Sequence, residues 1–136
     1  MRLRARRVLL AAAVIAAALL PAPLFSEGAP LVLSPGKWEF GSIPAGSRAF
    51  LTLQAINTGS RDITVTIIPM CDCLSTGPSK HVIPAGAKAE FRLSFLAEED
   101  EAGYVLESYI VLTDLKALDH LYYQVHGFVK GALPSN

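Results

Sequence analysis

From residue 87 to 95 every second side chain is apolar: Ala87, Ala89, Phe91, Leu93 and Phe95 alternate with Lys88, Glu90, Arg92 and Ser94. A period of two puts one set on a buried face and the other in water, which only an extended strand can do. The same rule returns at Ala49, Leu51, Leu53 and Ala55, with Thr52 and Gln54 pointing the other way. It returns again at Ile63, Val65 and Ile67, opposite Asp62, Thr64 and Thr66, where β-branched residues dominate. Leu121, Tyr123, Val125 and Val129 share a face in the last such run. Residues 104–113 alternate less cleanly, which suits a more central strand. Beyond residue 26 no stretch carries a helical period, so the fold is expected to be all-β.

Turn residues punctuate the strands. Pro35-Gly36 splits an entering edge strand, 30–34, from Lys37-Trp38-Glu39-Phe40, and Asn57-Thr58-Gly59-Ser60 ends the strand over 48–56. Ile43-Pro44-Ala45-Gly46 recurs letter for letter as Ile83-Pro84-Ala85-Gly86, each copy followed by an alternating strand. With Pro second and Gly fourth it reads as a type I turn, used at equivalent corners of two packed sheets. Residues 75–79 read as loop. About seven strands in some 110 residues describe an immunoglobulin-like antiparallel β-sandwich, and Trp38 is assigned to core or edge packing.

The first 26 residues are a separate element. Arg2, Arg4, Arg6 and Arg7 precede an unbroken apolar run from 8 to 20, closed by Pro21. That is the layout of a secretory signal peptide, and the run falls short of the roughly 20 residues that span a bilayer. Cleavage is expected after Ser26, leaving a lead-in over 27–35, the sandwich over 36–130 and a tail over 131–136. The exported chain is expected in the periplasm or outside the cell, with no stable membrane insertion once the signal is cleaved.

Charge bears on partners. The formal net charge is zero, with twelve basic and twelve acidic residues. Four of the basic ones leave with the signal, so the mature chain is mildly acidic. This argues against nucleic acid and anionic lipid as partners.

Both cysteines sit in Met70-Cys71-Asp72-Cys73-Leu74, where Pro69 stops an alternating run. An oxidising compartment favours a Cys71–Cys73 disulfide. In an extended segment their Cα atoms would lie about 6–7 Å apart, the upper edge of what a bridge accepts. So short a loop gives little entropic stabilisation. Two thiolates could instead hold a soft ion such as copper(I), with Met70 or His81 as third ligand; one Cys-x-Cys is only half of a tetrahedral zinc site. Thiol–disulfide enzymes use Cys-x-x-Cys at a helix start, which is absent here. A pair of inert buried thiols is the remaining reading.

Nothing else in the chain composes a catalytic set. His81, His120 and His126 lack ligand spacing, and His126 is expected on the outward face of the last strand. Ser34, Ser60 and Ser75 lack a nucleophile-elbow context. Asp114 and Asp119 bracket a turn, and Glu98-Glu99-Asp100-Glu101 reads as a solvated acidic loop rather than a calcium site.

Several motifs in order carry a family resemblance. They are Phe40-Gly41-Ser42-Ile43 with Gly46 beyond it, the Asn57-Thr58-Gly59 turn and Cys71-x-Cys73 closing the next strand. The Pro84-Ala85-Gly86 turn, a strand led by Gly103 and the ending Val125-His126-Gly127-Phe128-Val129 complete the series. Over residues 36–130 the chain resembles the exported bacterial family known as domain of unknown function fifteen-seventy-three, whose members are similar to Hydin-like and major-sperm-protein-like sandwiches. That family's loop reads Cys-Gly-Cys-Thr where this chain has Cys71-Asp72-Cys73-Leu74. The resemblance implies the sandwich fold and carries no activity.

The function expected from these readings is a non-enzymatic binding or scaffold module of the bacterial cell envelope, without a cofactor. It would engage a protein partner through an edge strand or the loops at the cysteine end. The alternative is a copper(I)-binding or redox-active envelope protein using Cys71 and Cys73.

Overall fold

The computed structural model describes residues 30–131. The expected signal peptide, residues 27–29 and residues 132–136 lie outside the described residues. Nine strands run in chain order: β1 (Leu31–Ser34), β2 (Trp38–Pro44), β3 (Arg48–Asn57), β4 (Ile63–Pro69), β5 (Leu74–Gly77), β6 (Lys80–Ile83), β7 (Lys88–Leu96), β8 (Gly103–Leu115) and β9 (Leu118–Lys130). They form a four-stranded sheet in the order β1-β3-β7-β5 and a five-stranded sheet in the order β2-β9-β8-β4-β6. The all-β immunoglobulin-like sandwich expected from the alternation is the observed architecture.

Alternation sets the core. Leu53, Phe91, Leu93, Phe95, Ile63, Val65, Val111 and Val125 are fully buried between the sheets. Burying each such side chain removes roughly 1.5–3 kcal/mol of unfavourable apolar hydration. Strand β8, expected to be central, lies between β9 and β4. Trp38 is buried on the edge strand β2, its ring edge-on to Phe40.

Four details depart from the sequence reading. Two more strands form than the seven expected: β5 occupies much of the stretch read as loop and pairs with β7, and β6 forms ahead of the second corner and pairs with β4. Ser94, placed on the wet face, is buried: β5 covers it, the Ser75 hydroxyl hydrogen-bonds to its Oγ, and Arg48 donates to the same oxygen. Strand β1 pairs with β3, so the sandwich begins within the stretch expected as lead-in. Finally, β2 runs parallel to β9, the one parallel pair among the described residues.

The repeated Ile-Pro-Ala-Gly does mark equivalent corners. One copy leads from β2 to β3 and the other from β6 to β7, each passing from the five-stranded to the four-stranded sheet. The turn sits one residue later than expected. Ser47 N donates to Pro44 O at 3.2 Å and Ala87 N to Pro84 O at 3.0 Å, so Gly46 and Gly86 occupy the third position. Their φ values of 79° and 74° are what a type II turn demands there and a side chain resists.

Asn57 acts as more than a turn former. It is completely buried; its Nδ2 donates to Ile83 O at 3.0 Å and Arg61 O at 2.7 Å, while Oδ1 accepts from Gly59 N at 3.0 Å. Every side-chain polar atom is thereby satisfied, which lets an amide sit in the core.

Candidate functional site

A third corner passes between the sheets in the same direction as the two proline-glycine corners. Residues 70–73 lead from β4 to β5, and here the chain carries Cys71-Asp72-Cys73. The segment is a turn rather than an extended strand: Leu74 N donates to Cys71 O at 3.3 Å. That curvature brings the two Cα atoms to 5.2 Å, inside the distance a bridge accepts, and Cys71 and Cys73 are joined by a disulfide. The extended-chain distance argued from sequence therefore does not apply. Asp72 stands where the resembling family has Gly, and its φ is not positive. The turn does not need glycine.

Backbone bonds hold this corner at both ends. Met70 N donates to Ser108 O at 3.1 Å on β8, and Leu96 N donates to Cys73 O at 2.8 Å at the end of β7. The sulfurs are half-buried and pack on the rim of the core. Tyr109 lies under the corner, completely buried, and its hydroxyl donates to Ser75 O at 2.7 Å and Ser94 O at 3.2 Å. Burial pushes this hydroxyl well above the ordinary tyrosine range, its two carbonyl bonds only partly opposing that. Tyr123, whose hydroxyl donates to Pro35 O at 2.8 Å, is likewise pushed up to about 12 by burial.

The residue that the structure brings to the cysteines is Glu107. Its side chain shares the inward face of β8 with Val105 and Tyr109, and its carboxylate and both sulfurs lie within 4.8 Å of one another. The ligands considered from sequence sit differently. Met70 is 51% exposed at the start of the corner. His81 lies on β6, where its Nε2 meets Glu90 O at 3.1 Å and its ring stands edge-on to Phe91. Glu107 had no local signal; only a parity count along β8 joined to the corner's position could have found it.

A second feature lies on the outer face of the five-stranded sheet. Tyr104 is 92% exposed and Leu106 71%, with Tyr122, Ile68 and Leu112 also exposed on this face. Their parities agree through the pairs Tyr104–Phe128, Ile110–Tyr122 and Ile68–Ile110. Where this face meets the free edge of β2, Glu39, Ser42, Tyr104, Leu106, His126 and Phe128 surround a shallow depression. His126 is on the outward face, as expected, yet its Nε2 is buried and lacks a hydrogen-bond partner. The other three edge strands, β1, β5 and β6, are only four residues long.

The acidic loop is internally bonded. Glu98 N donates to Glu101 Oε2 at 3.0 Å, and Glu98 O accepts from Gly46 N at 3.2 Å, which ties the loop to the first corner. Among the described residues the group with metal-ligand proximity is Cys71, Cys73 and Glu107.

Comparison with known structures agrees with the topology. The ASH/PapD-like domain 7 of human CEP192 is similar with a TM-score of 0.64 at 12% identity, over 76% of this chain and 87% of that one. The YadV chaperone is similar with a TM-score of 0.55 at 14% identity, over 79% of this chain but 55% of the chaperone. SSP-19 of Caenorhabditis elegans, an MSP-domain protein, gives 0.52 at 10% identity, over 73% and 98%. At these identities the likeness is one of fold. No curated protein sequence matches this chain. The sequence itself matches the HYDIN/CFA65/VesB-like, Ig-like domain over residues 29–123, in line with the Hydin-like sandwich that the motifs implied. The chain belongs to the HYDIN/CFA65/VesB-like Ig-like domain family.

Proposed function

We propose that this chain is an exported, non-enzymatic binding module of the bacterial cell envelope, a member of the narrower family known as domain of unknown function fifteen-seventy-three. One observation carries the reading: an exposed row of aromatic and aliphatic side chains on one sheet face, contiguous with an open strand edge. Scattered exposed apolar residues are ordinary, but a row beside an edge fits a protein partner. The partner docks along β2 and over Tyr104 and Leu106, beside the depression that His126 helps to line. Strand addition at β1, β5 or β6 is disfavoured, since four residues give few ladder bonds. The PapD-like and chaperone neighbours share this fold, and the basic, apolar 1–26 stretch supports delivery to the periplasm.

The test is capture from an envelope extract with the mature protein as bait, beside a Tyr104→Ser/Leu106→Ser double variant whose melt matches wild type. One envelope protein retained by wild type and lost with the variant is expected. Equal capture by both proteins sinks the docking face. Recovery of an uncleaved chain in the cytoplasm, rather than one starting near Glu27 in the osmotic-shock fluid, sinks the export.

A further inference from the structure

The inward carboxylate of Glu107 is out of place for a simple sandwich core. Val105 and Tyr109, its neighbours on the same face, are buried apolar or aromatic side chains. Ion pairs among the described residues join Lys37 to Glu39 and His120 to Asp119, and neither involves Glu107. No hydrogen bond to its side chain is formed there either. What faces it are two sulfurs, all three donor atoms lying within 4.8 Å of one another.

We propose that Cys71, Cys73 and Glu107 form a thiol-gated site for zinc(II) or a similar borderline divalent ion, closed while the disulfide stands and opened by its reduction. The proposal is independent of the docking face on β2, β8 and β9. Zinc accepts thiolate sulfur at about 2.3 Å and carboxylate oxygen at about 2.0–2.2 Å, which sets tetrahedral donors about 3.5–3.8 Å apart. The carboxylate lies within 4.8 Å of both sulfurs, and cutting the S–S bond frees the bonded sulfurs to separate to that spacing. A carboxylate oxygen suits zinc and is a poor match for copper(I), which prefers sulfur alone. Three protein ligands leave a fourth position open to water or a partner's donor, and half-burial leaves it reachable.

The donors are held by rigid elements. Glu107 lies mid-strand, paired with Val125. Cys71 is fixed by the turn bond from Leu74, and Cys73 by the bond from Leu96. Such preorganisation is what a metal site requires of its scaffold. The opening step balances simply. A dithiol reductant gives two electrons and two protons to the Cys71–Cys73 bond and becomes a disulfide. The divalent ion then displaces both thiol protons, so uptake releases two protons to solvent.

The test is zinc affinity of the mature protein, measured by competition with a chromogenic chelator, in oxidised and phosphine-reduced forms. One zinc per reduced chain is expected, with binding at least a hundredfold weaker when oxidised. Glu107→Gln keeps the side-chain shape and should weaken binding at least tenfold, and Cys71→Ser/Cys73→Ser should abolish it. Cobalt(II) added to the reduced protein should show thiolate charge-transfer absorption together with tetrahedral d–d bands. Circular dichroism of each variant separates lost ligation from lost fold. Equal zinc affinity in wild type and Glu107→Gln, or in oxidised and reduced protein, overturns the proposal. Copper(I) uptake that is indifferent to Glu107, with zinc not bound, overturns it too.

Discussion

Three corners carry the chain from the five-stranded to the four-stranded sheet, and two of them are built unlike the third. At Pro44–Ser47 and Pro84–Ala87 the reversal is a turn with a glycine in the left-handed region and a backbone hydrogen bond across it, helped by the Ser47 hydroxyl on Pro44 O and by Asp62 Oδ1 on Ala85 N. At 70–73 there is no glycine and no positive φ; a turn bond, two anchoring bonds and a disulfide do the work instead. Proline and glycine are sufficient to turn a corner here, so the cysteines are not there because the fold lacks another device. They place two sulfurs beside an inward carboxylate.

If the corners are hung on a core that is stable without the disulfide, the largest losses must come from that core. Phe95 is the residue to test, because it is fully buried, stacks on Phe40 with centroids 4.9 Å apart, and pairs with Leu74 beside the cysteine corner. Phe95→Ala is expected to cost about 3–5 kcal/mol in a denaturant melt. A loss below about 1 kcal/mol would place the weight of the fold elsewhere and undo the comparison.

Much of this was legible in sequence because strand parity is a local property. Of the inward set of β7, Phe91, Leu93 and Phe95 are fully buried and Ala89 is half-buried, while Ser94 breaks the pattern. The repeated tetrapeptide located two corners, although the register of the turn was off by one; only the hydrogen bonds show which residue closes it. Parity could not show that β5 would cover Ser94, since a four-residue strand with mixed side chains carries no period. Nor could it show that Glu107 meets Cys71 and Cys73, because that meeting depends on where β4 ends against β8. Charged and polar exceptions to a pattern are set by tertiary contact, and the candidate site consists of such exceptions.

The next effect comes from the tyrosine beneath the cysteine corner and its counterpart near Pro35. Tyr109 and Tyr123 both have folded values raised above the unfolded 10.0, so their contribution is fully present below pH 10. It is lost as pH rises from 10 through the folded value, about 12 for Tyr123. Unfolding free energy should therefore fall with a steepening slope above pH 10, and in a Tyr104→Phe/Tyr122→Phe background, which removes the two exposed phenols, phenolate absorbance should rise together with loss of the native circular dichroism signal. Full tyrosine ionisation in a protein that stays folded would show that neither hydroxyl is held as described. Tyr109→Phe should cost about 1–3 kcal/mol by leaving the Ser75 and Ser94 carbonyls without their donor.

Glycine exchanges set the two kinds of corner against each other directly. A Cβ on Gly86 meets nothing within 4 Å, so Gly86→Ala isolates the backbone strain of φ +74, about 1–2 kcal/mol. Asp72→Gly installs the glycine of the resembling family where no positive φ needs it. It should give no gain and a loss under about 1 kcal/mol, from added freedom in the unfolded chain. Stabilisation by Asp72→Gly would mean that the cysteine turn is strained as a proline-glycine turn would be without its glycine.

The smallest expected effect is the most informative. The Cys71–Cys73 bridge closes a loop with a sequence separation of two, and loop-closure entropy grows with length, so little unfolded-state freedom is removed. The backbone bonds from Met70 to Ser108 and from Leu96 to Cys73 remain when the sulfurs are gone. Cys71→Ser/Cys73→Ser is therefore expected to unfold cooperatively within about 1 kcal/mol of wild type, and wild type with reductant should melt beside it. The same variant removes both sulfurs from the Glu107 cluster. A fold that persists while zinc uptake disappears assigns the cysteines to chemistry. A variant that loses cooperative unfolding would make this corner structural after all, and the contrast with the proline-glycine corners would then be one of material alone.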